Sequence, residues 1–248
     1  MLSGDVGMTL VALLDRKIDT IFELGPGNFV KTETLLRRWD QARRHPRPAD
    51  AQAKRDIVYV AVDINRESLQ KTIPELHKKF NNITCVGWWG TFDQALERLK
   101  STLTSKACVW SFGSSLSNSP ESDAIWSIKS WTDVCDLLII GQDATVDKAE
   151  VHKPYHMANF KAFIDTGRRK ADEINGQEEI FASATEKICD GIGKDSEIEA
   201  FESFKYRERE FEAIVAEAGC AVMRTFSASG AGSRIYVIQP REAANYKS

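Results

Sequence analysis

The chain has 248 residues, 28% of them charged, and its 33 Lys and Arg against 36 Asp and Glu leave a formal charge of −3. That length holds one large domain or two small ones. The near balance of charge gives no reason to expect nucleic acid, a membrane surface or another polyanion as partner.

Residues 6–14 read as a short helix that leads into a first strand at 20–24. The run Ile21-Phe22-Glu23-Leu24 then opens into Gly25-Pro26-Gly27-Asn28. Residues 30–41 carry Leu35, Leu36 and Trp39 at helical spacing. Arg37, Arg38, Arg43, Arg44, Arg47, Lys54 and Arg55 cluster around His45-Pro46-Arg47-Pro48 and read as a solvated connection. Only Trp39 is an aromatic neighbour, whereas a nucleic-acid site would interleave more. A second strand at 57–62 ends in Asp63, and Asn65 is placed to cap a helix in which Leu69, Ile73 and Leu76 recur. A third strand spans 83–86, a helix 92–103 carries Phe92, Leu96, Leu99 and Leu103 on one stripe, and a fourth strand spans 107–112. A crossover helix covers 125–131, and the apolar run at 135–140 is a fifth strand.

Beyond it, residues 154–174, with Phe160, Phe163 and Ile164, and residues 178–188 read as helices. Residues 208–219 form a helix ended by Gly219. Residues 222–226 and 234–238 are strands around a Ser/Ala/Gly turn. Apolar strands alternating with amphipathic helices predict an α/β fold: a Rossmann-like, doubly wound, mostly parallel sheet closed by an antiparallel C-terminal hairpin. Cys85, Cys108, Cys135, Cys189 and Cys220 form no C-x-x-C and have no zinc spacing. They indicate a reducing, cytoplasmic setting. The first fourteen residues lack a basic start and a cleavage site, and no apolar run approaches membrane-spanning length.

The first loop is not a dinucleotide fingerprint, because Val30 stands where the third glycine of G-x-G-x-x-G belongs. It is not a phosphate loop either, because Lys31 and Thr32 follow Gly27 too closely. E-x-G-x-G with a downstream acid suits a nucleoside without a pyrophosphate, and S-adenosylmethionine fits that description. The bland alternative is a tight strand-to-helix turn in a non-catalytic domain.

Gly25 and Gly27 supply positive φ or room for a ligand, and the following helix offers its N-terminus to a carboxylate. Glu23 either binds a cofactor amine or holds the loop through backbone amides. Asp63 accepts ribose hydroxyls or caps the next helix. Thr91 and Phe92 are placed for adenine. Equally, Asp93 caps the helix there and Phe92 belongs to the core.

Gly113 permits close approach after strand four, and Ser114, Ser115 and Asn118 fix a polar substrate. No His or Asp stands by to activate either serine. Asn118, before Ser119-Pro120, also suits an ordinary turn. Asp143, Lys148, His152, Tyr155 and His156 follow strand five. Pro154 separates the two histidines and no H-E-x-x-H is present, so no metal is expected; Tyr155 is a candidate pocket wall.

Together, Glu23-Leu24-Gly25-Pro26-Gly27 with Lys31-Thr32, Val62-Asp63, Gly90-Thr91-Phe92, residues 113–118 and Ser203-Phe204-Lys205-Tyr206 resemble one family. It is the histidine-specific methyltransferase family of ergothioneine biosynthesis, which also includes fungal dimethylallyltryptophan N-methyltransferases. The resemblance implies a class I methyltransferase fold over residues 1–248, a single domain with a reduced helical substrate-side insertion around 150–200. It implies S-adenosylmethionine as cofactor, held by Glu23, Gly25, Gly27, Lys31, Asp63, Thr91, Phe92, Gly113 and Ser114.

The implied reaction is methyl transfer to a small amine or amino-acid-derived secondary metabolite, with Asn118 and Tyr155 at the acceptor. Ser203 matches a serine near the histidine pocket, and Thr91 falls where bacterial members carry an aspartate. Three departures stand out. Only about twenty residues precede the first strand, the stretch 174–201 is short, and Phe201 falls where the histidine enzymes carry an imidazole-facing glutamate, whose loss argues against histidine. They leave open a small or bulky aromatic substrate, a pocket completed by a second chain in a homo- or hetero-oligomer, or loss of activity in a non-catalytic subunit that regulates or completes a partner methyltransferase. A nicotinamide enzyme ranks below these, lacking the third glycine and a proton relay.

Overall fold

Strand residues that alternate between two apolar faces build the sheet. The computed structural model describes residues 6, 7, 9, 10, 18–44, 57–102, 107–113, 115–145, 147, 149, 150, 157–160, 162, 166, 203–227 and 232–241. In chain order the elements are β1 (Thr20–Leu24), α1 (Val30–Arg44), β2 (Ile57–Asp63), α2 (Arg66–His77), β3 (Ile83–Trp89), α3 (Phe92–Thr102) and β4 (Ala107–Ser111). They continue with α4 (Glu121–Thr132), β5 (Leu137–Asp143), α5 (Glu208–Glu217), β6 (Cys220–Ser227) and β7 (Ser233–Pro240). The seven strands form one sheet in the order β3-β2-β1-β4-β5-β7-β6. The first five are parallel, and β7 runs antiparallel between β5 and β6. This is the Rossmann-like class I methyltransferase fold with its antiparallel C-terminal strands.

Ile21, Tyr59, Ala61, Cys108, Trp110 and Ile139 face one core together with Leu35, Leu36 and Trp39 of α1 and Leu69, Ile73 and Leu76 of α2. Phe22, Leu24, Val60, Val62, Val109, Ile140 and Tyr236 face the other, with Leu96 and Leu99 of α3, Ile128 and Trp131 of α4, and Phe211, Ile214 and Val215 of α5. Covering both faces is what makes the central strands read as apolar runs. The winding reverses between β1 and β4, which opens a crevice at their carboxyl ends.

The described chain divides into two units. Met1–Ala144 with Phe204–Ser248 carries the sheet, and Thr145–Ser203 includes helical residues at 149–150 and 158–160. The expected helices at 154–174 and 178–188 lie largely or wholly outside the described residues, and residues 6, 7, 9 and 10 of the first expected helix are helical.

Several expected boundaries move. α1 continues to Arg44, so Arg43 and Arg44 belong to the helix rather than to the connection, and Arg37 within it pairs with Glu33 at 2.7 Å. β3 continues past Val86 to Trp89 because Trp89 is in register with Asp63. β4 stops at Ser111, one residue short of Phe112. β5 starts at Leu137 rather than Cys135, since Asp136 turns back to Ala107: its Oδ2 accepts from Ala107 N at 3.0 Å and its own N donates to Ala107 O at 2.9 Å. β5 then runs on to Asp143 because Gly141, Gln142 and Asp143 pair with β7.

Candidate functional site

Three loops meet at the crevice between β1 and β4. The first, after β1, alternates left-handed residues: Gly25 at φ 63, Gly27 at φ 64 and Phe29 at φ 58. A buried Phe29 ring holds this strained backbone by filling the core. Gly25 N donates to Val62 O at 3.0 Å, and Asn28 Oδ1 accepts from Val30 N at 3.3 Å, which starts α1. A Cβ on Gly25 would stand 3.5 Å from Phe92 Cζ and 3.5 Å from Ser115 Oγ, and one on Gly113 3.4 Å from the same Oγ. Gly25, Phe92, Gly113 and Ser115 therefore converge from the ends of β1, β3 and β4. Gly27 has nothing within 4 Å of such a Cβ and borders open space.

Glu23 lies beneath this loop and is buried. Its Oε2 accepts from Thr32 Oγ1 and from Tyr59 OH, each at 2.6 Å. Two hydroxyls, rather than backbone amides of the loop, hold the carboxylate. Burial raises its pKa above the ordinary value, against the lowering effects of the Thr32 and Tyr59 hydrogen bonds and the Lys31 charge. Burial likewise pushes the Tyr59 hydroxyl well above its usual range, so it stays a donor. Lys31 Nζ donates to Phe112 O at 3.2 Å and so ties α1 to the end of β4.

At the neighbouring strand end, Asp63 Oδ1 accepts from Asn65 N at 2.8 Å. Asn65, not Asp63, caps α2, with Oδ1 accepting from Ser68 N at 3.0 Å. Asp63 Oδ2 has no hydrogen bond among the described residues. Thr91, not Asp93, caps α3: its Oγ1 accepts from Gln94 N at 3.2 Å, and its N donates to Gln94 Oε1 at 2.9 Å. Its hydroxyl proton remains available to a ligand acceptor.

Ile64 is 71% and Trp89 61% exposed at this edge. Trp89 Nε1 donates to Ile64 O at 3.1 Å, and Arg66 stacks over its ring at 5.0 Å. Neither residue was singled out from the sequence. A large apolar residue just past a strand-ending acid, as at Ile64, was the available signal.

Beyond β4, Asn118 Oδ1 accepts from Phe204 N at 2.7 Å, and Tyr206 OH donates to Ser119 O at 2.6 Å. Lys205 Nζ pairs with Asp143 Oδ2 at 2.7 Å. Gly141 lets β5 press against this loop, since a Cβ there would meet Phe112 O at 2.8 Å. The buried Ser111, Ser117 and Gln142 side chains have no hydrogen-bond partner among the described residues. Ser114, Lys148, His152, Tyr155, His156 and Phe201 lie outside the described residues.

Cys85, Cys108, Cys135 and Cys220 are free and buried, and burial pushes the Cys85 thiol up to about 12, which leaves it unreactive. Among the described residues no cluster of three His, Cys, Asp or Glu could hold a metal ion. Among them, too, no helix is long and apolar enough to cross a membrane.

A family model described as a SAM-dependent, histidine-specific methyltransferase matches residues 7–184, more than half of the chain. Ergothioneine biosynthesis protein 1 of Neurospora crassa is 35% identical over 167 residues, which cover 63% of this chain and 17% of that protein. The N-methyltransferase fsqC of Aspergillus fumigatus is 26% identical, covering 64% of this chain and 42% of that one. The N-methyltransferase imqF of Aspergillus flavus is 27% identical, covering 64% and 44%. This chain thus spans less than half the length of these relatives. Among solved structures, magnesium protoporphyrin IX methyltransferase from Synechocystis PCC 6803 with bound SAH superposes at a TM-score of 0.48 and 14% identity, covering 96% of this chain and 83% of that one. It is too distant to bear on activity, and the sheet order itself establishes the fold.

Proposed function

This chain belongs to the family of SAM-dependent, histidine-specific methyltransferases, and we propose that it methylates the nitrogen of a small amine or amino-acid-like metabolite. S-adenosylmethionine is the family's cofactor, and the residues fit it. The carrying observation is the convergence of Gly25, Phe92, Gly113 and Ser115 at the reversal of the sheet, one strand from Asp63. Lys31, which follows the Gly25–Gly27 turn, donates to Phe112 O.

In this reading Gly25, Gly27 and Gly113 leave room for the cofactor's amino-acid end, and Asp63 accepts its ribose hydroxyls. Thr91 and Phe92 flank the base, while Glu23 and Lys31 hold the loop, with Ser114 adding a polar contact. Asn118 holds the acceptor.

The cofactor supplies a methyl group activated on a positively charged sulfur. The chain's own work is alignment, which brings the amine nitrogen in line with that group and excludes unproductive poses. Asn118 Oδ1 has a second lone pair beyond the one given to Phe204 N. By accepting an amine N–H it leaves the nitrogen lone pair directed at the methyl. The amine arrives neutral, or gives its extra proton to water first.

Incubation with methyl-labelled S-adenosylmethionine and a panel containing histidine, tryptophan and simple amines tests the reading. Label should enter an amine, with aromatic apolar amines ahead of histidine, as Phe201 suggests. Tight cofactor binding without labelling of any amine would overturn it.

A further inference from the structure

Phe204, Lys205 and Tyr206 are consecutive, yet each bonds to a different point around the carboxyl ends of β4 and β5. Phe204 N donates to Asn118 Oδ1 at 2.7 Å, Lys205 Nζ pairs with Asp143 Oδ2 at 2.7 Å, and Tyr206 OH donates to Ser119 O at 2.6 Å. Two of these bonds fall on adjacent residues of the loop after β4, and the third on the last residue of β5. The Lys205 side chain is 17% and the Asp143 side chain 37% exposed, so the pair is only partly shielded from solvent.

The Phe204 bond also fixes the orientation of the Asn118 amide. A backbone N–H faces it, so the oxygen must point there and the NH2 group away. The segment is not needed to start the following helix. Arg207 N donates to Glu210 Oε2 at 2.8 Å, and α5 is anchored in the core by Phe211, Ile214 and Val215.

We propose that Lys205 and Tyr206 are positioning residues that clamp segment 204–206 onto the ends of β4 and β5 and thereby hold Asn118 in its substrate-facing orientation. This rests on the reading of Asn118 as the acceptor's partner. An unclamped Asn118 samples other rotamers, and the rate of methyl transfer falls by the fraction of time it is misplaced. Cofactor affinity rests mainly on the loops after β1, β2 and β3, with only Gly113 and Ser114 coming from the loop that carries Asn118, so it falls far less than the rate.

The test uses the full chain with Lys205→Met, Tyr206→Phe and the double variant, and Lys205→Arg as the conservative replacement. Hydrogen exchange is followed in peptides covering 113–120, 30–44 and 57–63. S-adenosylhomocysteine binding is measured by calorimetry, and kcat and KM with the best amine of the panel. The double variant should exchange about tenfold faster in 113–120 alone, bind S-adenosylhomocysteine within about twofold of the parent, and lose about tenfold in kcat. Lys205→Arg should restore most of the kcat lost in Lys205→Met.

Unchanged exchange in 113–120 overturns the proposal. So does faster exchange throughout the sheet with a parallel loss of cofactor binding, which would mark a general structural role. If the parent methylates no amine, the functional reading fails, while the exchange experiment still decides whether the clamp exists.

Discussion

The Tyr59 hydroxyl donates to Glu23 Oε2 at 2.6 Å, reaching from β2 to a carboxylate on β1 that is otherwise sealed in the core. With Thr32 donating to the same oxygen, the pair locks α1 to the sheet directly under the Gly25–Gly27 turn. Burial holds the Glu23 pKa above its ordinary value. The folded state therefore keeps the proton more tightly than the unfolded chain. The stability this contributes is complete below the unfolded pKa and is lost as pH rises through the folded one. Glu23→Gln keeps an oxygen for both hydroxyls and removes the ionisation. Thermal unfolding from about pH 4 to pH 8 should show the wild type losing stability relative to the variant as pH rises. A wild type that gains on the variant over that range would show that Thr32, Tyr59 and Lys31 outweigh the burial.

Among the described residues the Asp63 side chain makes one hydrogen bond, accepting from Asn65 N, while Asn65 independently caps α2. Asp63→Ala should therefore leave the fold intact and act on the ligand. Losing charge-assisted bonds of about 1.5–3 kcal/mol each predicts at least about a tenfold loss of S-adenosylhomocysteine affinity. Calorimetric titration of the folded variant checks this, and unchanged affinity would reduce Asp63 to a turn residue.

The sheet was legible because its periodicities are local. Ile21 to Leu24 and Ile57 to Val62 announce buried strands, and Leu69, Ile73 and Leu76 announce the face of α2, all of which are buried except the half-buried Val58. Strand ends were less legible because partners set them. Nothing local says that Trp89 will pair with Asp63, or that Asp136 will turn back to Ala107. At the site, the glycines and Asp63 carried a local signature. The Glu23–Tyr59 bond and the bond from Phe204 to Asn118 join residues 36 and 86 positions apart, and no spacing rule reaches that far. Phe29 was invisible for another reason: a left-handed phenylalanine is disfavoured, and only the burial of its ring holds it there.

Gly25 and Gly219 separate backbone strain from ligand space. Both have positive φ, 63 and 77, but a Cβ on Gly25 meets Phe92 and Ser115 at 3.5 Å whereas one on Gly219 meets nothing within 4 Å. Alanine at either position should cost about 1–2 kcal/mol of stability through the left-handed backbone. Only Gly25→Ala should also weaken S-adenosylhomocysteine binding. Chemical denaturation and calorimetry on both variants give the comparison, and an equal loss of affinity in both would remove Gly25 from the ligand site.

Asn118 has two duties that different substitutions separate. Its Oδ1 holds Phe204 N at 2.7 Å, and the same group is proposed to orient the acceptor. Asn118→Ala abolishes both, so it should lower stability by about 0.5–1.5 kcal/mol for the lost hydrogen bond and reduce methyl transfer about five- to a hundredfold. Asn118→Asp keeps an acceptor for Phe204 N and should retain that amide's protection against hydrogen exchange, but it replaces the NH2 donors with a charge. Its oxygen can still accept an amine N–H, but the added charge favours the protonated, non-nucleophilic amine, so its transfer rate should stay below that of the parent. S-adenosylhomocysteine affinity should stay within about twofold in both, because the cofactor contacts of this loop are assigned to Gly113 and Ser114 and the others to the loops after β1, β2 and β3. Full activity in Asn118→Ala would remove the side chain from the acceptor site. A loss of cofactor binding matching the loss of rate in Asn118→Ala would place it with the cofactor rather than the amine.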